Sequence, residues 1–239
     1  GINFIFPRSV FRTSPGAKRT LNGLNPGQPK LCGLEILSGS HVPEKLRGVL
    51  IAPDFRGHRI NSYKLTPNGS TYTSTRVDDF LSSSHRAFRP IDVKMGPDGA
   101  VYIADWYNPI IQHGEVDFRD ERRDHTHGRI WRVTFKDQPS VEKKNFAKAS
   151  VDELLMGLVS KERAHRDLAR TELRDRKKSD VLPKLKSWSA GLSDDFSKLQ
   201  ALWMYQSLNI TEESLVKTLV ASSDYRYRAA ALRVIYHRH

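Results

Sequence analysis

Two kinds of hydrophobic spacing divide the chain. From Cys32 to Phe135 apolar and β-branched residues come in short runs bounded by Gly, Pro, Asn and Asp, the pattern of strands and tight turns. From Ala149 onward they return every three or four positions, the pattern of amphipathic helices. The strand runs cover 32–38, 46–54, 59–65 and 70–81, then 91–95, 100–106 and 128–135. Thr66-Pro67-Asn68-Gly69 and Gly96-Pro97-Asp98-Gly99 supply turn chemistry between neighbouring runs. A four-strand meander over 33–88 is thus followed by a similar unit from Arg89, a repeat of about fifty residues that predicts propeller blades.

The helical part opens on Ser150-Val151-Asp152-Glu153, an N-cap with a capping-box carboxylate. Further helices are expected over 164–176, 181–189, 194–208, 212–221 and 225–236. Ala169, Ala201 and Ala231 recur about every thirty residues, and Ser160-Lys161-Glu162 with Arg166 parallels Ser222-Ser223-Asp224 with Arg228. This predicts HEAT-like helical pairs. The expected fold class is β plus α. Residues 1–140 are the C-terminal two blades of an incomplete β-propeller with an N-terminal insertion or loop over 1–32, and 141–239 a truncated α-helical HEAT-like solenoid. Two blades cannot close a ring, so the rest of the propeller is expected from another segment or chain, and the chain is read as a piece of a longer protein.

In a meander successive connections alternate between two faces. The tight turns fall on one face, and 55–58, 82–88 and the long loop 107–127 on the other. That second face gathers Arg56, His58, Arg59, His85, Arg86, Arg89, Asp92, Asp105, Asn108 and the His and Asp residues of the long loop.

Charge adds less. The net charge is +12 and the isoelectric point near 9.9, but the basic excess divides evenly between 1–140 and 141–239. A nucleic-acid partner, which wants clustered charge interleaved with aromatics, is not expected. No run approaches a transmembrane span, and the first residues carry no charged leader of a signal peptide. Cys32 is the only cysteine, so the chain holds no C-x-x-C pair and no C-x-x-C-H haem motif.

The run FRPIDVKMGPDGAVYIADWYNPIIQHGEVDFRDERRDHTHGRIWRVT, with GLNPGQP, CGLEILSGSHVP and DFRGHR before it and LARTELRDR and ALWMYQSLN after it, resembles the membrane-bound dehydrogenases of the Planctomycetes–Verrucomicrobia type. That label itself leans on similarity to soluble quinoprotein glucose and sorbosone dehydrogenase propellers. The resemblance implies an exported or periplasmic protein oxidising a small polar substrate, such as a sugar or polyol. It implies PQQ as a cofactor and a cytochrome c-like domain or partner as electron acceptor.

Under that reading His58, His113 and Asp105 are the catalytic candidates, and Arg56, Arg59, Arg89, Asn108 and Arg129 the cofactor-binding ones. Arg56, His58 and Arg59 form a cationic loop suited to a carboxylate, a phosphate or a quinone's carboxylates, or else merely solvated. Asp105 and Asp92 either meet substrate or cap turns and pair with Arg89. His125-Thr126-His127 has a spacing usable for zinc or copper with Asp124 orienting one ring, and Asp117, Asp120 and Asp124 could share Ca²⁺. The alternative is that these residues pin the loop by pairing with Arg119, Arg122, Arg123 and Arg129. Two function classes follow: an oxidoreductase, or a non-catalytic module that binds carbohydrate or protein. The second wants aromatic platforms.

Overall fold

The computed structural model describes residues 2, 30–69, 71–111 and 115–237. The chain divides into two units, Gly1–Val141 and Glu142–His239. In the first, β1 (Glu35–Ile36), β2 (Val49–Asp54), β3 (Arg59–Asn68) and β4 (Thr71–Ser82) form an antiparallel sheet in chain order. β5 (Pro90–Met95), β6 (Val101–Asp105) and β7 (Arg129–Val133) form a second. Alternation along the strands explains which side chains turn inward. Ile51 and Ile60 from the first sheet meet Val93, Val101 and Ile103 from the second in one buried cluster, closed by Leu37 and Val42.

The hairpin between β3 and β4 runs further than its turn residues suggest. Pairing continues through Thr66 with Thr73, Pro67 with Tyr72 and Asn68 with Thr71. β2 has stopped pairing at Lys64, so Pro67 sits in a two-stranded ribbon, where its missing N–H breaks no β2 ladder. The hairpin between β5 and β6 turns where expected, with Gly99 at φ +78°. Its Asp98 is buried and takes the Ala100 N–H, the Tyr102 hydroxyl and the Arg132 guanidinium.

The second unit consists of α1 (Val151–Gly157), α2 (Arg163–Asp175), α3 (Lys178–Ala190), α4 (Asp195–Ser207), α5 (Glu213–Val220) and α6 (Tyr225–Tyr236). All six contribute to one core, from Leu154 and Leu173 through Leu185 and Leu202 to Leu219 and Val234. α1 begins with the full capping box, Ser150 and Glu153 each bonding the other's backbone. Arg166 ties the start of α2 by donating to the Ser160 and Lys161 carbonyls, and Arg228 does the same for α6 at Ser222 and Ser223.

The propeller and solenoid are corrected by this architecture. Among the described residues there are two small antiparallel sheets, of four and three strands, and six helices, with neither a closed ring of blades nor a solenoid. The fifty-residue period reports the meander, which any pair of hairpin-built sheets repeats, and says nothing of how sheets close on one another. The recurring alanines are buried where helices touch, a need common to all close helix packing rather than to stacked repeats. The expected loop over 1–32 falls almost wholly outside the described residues.

Candidate functional site

The loop residues 55–58, 83–89 and, after β6, 106–111 and 115–128 meet here, and a single buried side chain joins them. Arg89 donates from Nε to the Asn108 carbonyl (2.8 Å), from Nη2 to Pro109 (3.1 Å) and from Nη1 to Phe55 (2.9 Å), with His58 Nε2 3.4 Å away. A planar fork of donors suits carbonyls arriving from several directions. Asp105, also buried, closes the network from the end of β6. Its Oδ1 accepts the backbone N–H groups of Arg89 (2.8 Å) and Tyr107 (2.9 Å), and its Oδ2 the indole N–H of Trp131 (3.0 Å).

Upon this frame stands Tyr107. Its φ is +51°, a backbone conformation that a bulky aromatic rarely adopts and that marks functional sites when surrounding bonds enforce it. Here the Asp105 bond to the Tyr107 N–H does so. The ring stacks on His85 (centroids 5.6 Å, planes 21° apart), meets His127 edge-on (5.8 Å) and lies under the Arg129 guanidinium (3.7 Å). A cleft of about 800 Å³ opens here, lined among others by His85, Arg86, Tyr107, Glu121, Arg122 and His125. His85 Nδ1 accepts the Ala87 N–H (3.2 Å), which leaves the ring proton of the neutral imidazole on Nε2.

Three aspartates of the long loop are spent locally. Asp117 accepts the Arg119 N–H (2.7 Å). Asp120 takes the backbone N–H and guanidinium of Arg122, which bring its carboxyl down to about 2. Asp124 accepts the N–H groups of Thr126 and His127 and faces His127 Nδ1 at 2.8 Å, bonds that hold its carboxyl well below the usual range. His125 is exposed at the cleft. Among the described residues no three His, Cys, Asp or Glu side chains are grouped to hold a metal ion.

Of the catalytic candidates, Asp105 and His58 belong to the Arg89 network, His58 with Nδ1 against the Phe88 carbonyl (3.0 Å); His113 lies outside the described residues. Of the cofactor-binding candidates, Asn108 is buried, accepting the Ile110 N–H and donating to the Asp124 carbonyl. Arg59 pairs with Asp79 and lies 3.8 Å from Asp54, Arg56 is exposed on its own loop, and Arg129 covers Tyr107. With Arg89 and Asn108 turned to backbone groups, this set does not fit a clamp on a quinone's carboxylates. Cys32 donates to the Pro90 carbonyl (3.5 Å), and burial pushes its thiol up to about 11, so it stays protonated.

The sequence places His85 and Arg86 on this face without giving them a role, and gives Tyr107 none. A strand-ending Asp followed by Trp-Tyr-Asn is the one local hint, since Asp favours capping the next turn. The stacking partner twenty-two residues upstream leaves no trace in spacing.

A family model described as "Domain of unknown function (DUF7133)" matches residues 7–137, more than half of the chain. The chain belongs to this family. No curated relative and no solved structure matches it. The DUF7133 match spans Arg89, Asp105, Tyr107 and Arg129, so the cleft and its supporting network lie within the family's domain. No helix among the described residues is long and apolar enough to cross a membrane.

Proposed function

We propose that the β unit of this DUF7133 chain is a binding module whose Tyr107 cleft takes a small polar ring, a sugar or polyol. The observation that carries the reading is Tyr107 itself, held at φ +51° with its ring among His85, His127 and Arg129 at the edge of an 800 Å³ cleft. The Tyr107 ring holds the His85, His127 and Arg129 groups packed around it in place, and these imidazole and guanidinium donors meet the hydroxyls. Calorimetric titration of the intact chain with a panel of mono- and oligosaccharides tests it. Binding that weakens about tenfold, or roughly 1.4 kcal/mol, in Tyr107→Ala supports it; binding indifferent to Tyr107 refutes it.

One observation favours a second reading, the dehydrogenase implied by the resemblance. Asp124 fixes His127 through Nδ1, leaving Nε2 able to take a proton from a hydroxyl held on Tyr107. Turnover of a sugar panel with an artificial electron acceptor, lost in His127→Ala, would support this reading. Turnover that survives the substitution would remove His127 from it.

A further inference from the structure

Resting on the cleft as a ligand site, we propose that its ligand carries a carboxylate, docked on the Arg86 guanidinium and the Nε2–H of His85. Arg86 lines the cleft, is exposed, and has no carboxylate partner among the described residues. Arg129, over the rings of Tyr107 and Trp131, adds positive charge beside the cleft without lining it. Arg122, by contrast, is already held by Asp120. Guanidinium forks match a planar carboxylate, and a neutral imidazole N–H completes the donors.

The ground beneath the cleft is positive as well. Arg89's guanidinium is buried among backbone carbonyls and His58, and the charge of Asp105, whose carboxylate takes the Arg89 backbone N–H, offsets it only in part. Burial, and after it the neighbouring Arg86, pulls Arg89 below the ordinary arginine value. An anion seated against Arg86 relieves that repulsion. The opposing charges are Asp105, bonded to the Arg89 N–H and the Trp131 indole, Asp124, occupied by His127, and Glu121, an exposed lining carboxylate. Their presence favours a single negative charge over the double charge of a phosphate.

The probes are glucuronate and galacturonate disaccharides, the corresponding neutral disaccharides, and glucose 6-phosphate, titrated calorimetrically into the intact chain at low and high salt. The uronates are expected to bind about tenfold more tightly than their neutral counterparts at low salt, with the gap narrowing in salt. Arg86→Ala should close that gap, and Glu121→Gln should tighten uronate binding severalfold, with thermal melts showing both variants folded. Equal binding of neutral and acidic probes, still dependent on Tyr107, overturns the carboxylate and leaves the cleft standing. Tighter binding of glucose 6-phosphate than of any uronate also overturns it. Binding of no probe overturns the cleft reading itself.

Discussion

Arg89 holds three loops with one side chain, and the geometry of its donors explains why another cation would not serve. Its guanidinium reaches carbonyls at Phe55, Asn108 and Pro109, three bonds from a rigid fork. A lysine ammonium is a compact point charge that cannot span them. Arg89→Ala and Arg89→Lys are both expected to destabilise the β unit by about 2–4 kcal/mol, because each leaves buried carbonyls unpaired. Urea denaturation of the intact chain checks this, and a Lys variant as stable as the parent would show that charge rather than fork geometry matters. From sequence Arg89 is equally a cofactor contact, since an arginine at a strand's start is silent about its partners. These lie roughly twenty to thirty-five residues away, on loops whose meeting only the fold reveals. Asp105 is the same case, and its turn-capping alternative describes what its Oδ1 does at Tyr107.

At the scale of elements, local chemistry was legible and closure was not. The alternating runs, the Gly96-Pro97-Asp98-Gly99 turn and the Ser150 capping box each depend on residues close in sequence, and each is found in place. Propeller and solenoid were inferences from period, which is shared by many arrangements of the same hairpins and helices. The β5–β6 hairpin also carries a pH dependence. Burial alone would raise the Asp98 carboxyl, but its bonds from Arg132, the Ala100 N–H and the Tyr102 hydroxyl outweigh burial and lower it. A carboxyl whose folded value is depressed stabilises the fold above the unfolded value of about 3.9, and that contribution is lost as pH falls through the folded value. The stability difference between the parent chain and Asp98→Asn should therefore be largest near neutral pH and shrink toward pH 3, as read from urea midpoints at each pH. A difference that stays constant across that range would place the Asp98 contribution elsewhere than in its charge.

Among the described residues the two units have separate cores, and the first unit adds a small third cluster of Leu50, Ala52 and Tyr63. Ile103 lies in the cluster between the sheets and Leu202 in the cluster among the helices, both fully buried. Removing either side chain leaves a cavity worth about 2–5 kcal/mol. In calorimetry of the intact chain, Ile103→Ala should lower one thermal transition and Leu202→Ala another; a single transition lowered alike by both would mean that the units unfold as one. The proposed binding role rests on the first of these units, through the Tyr107 cleft.

That assignment is tested most directly by hydrogen–deuterium exchange of the intact chain with and without a galacturonate disaccharide at saturating concentration. The account predicts added protection confined to the loops around His85, Tyr107 and His125 and absent in Tyr107→Ala. Protection among the helices of the second unit, or no change at the three loops, would contradict it.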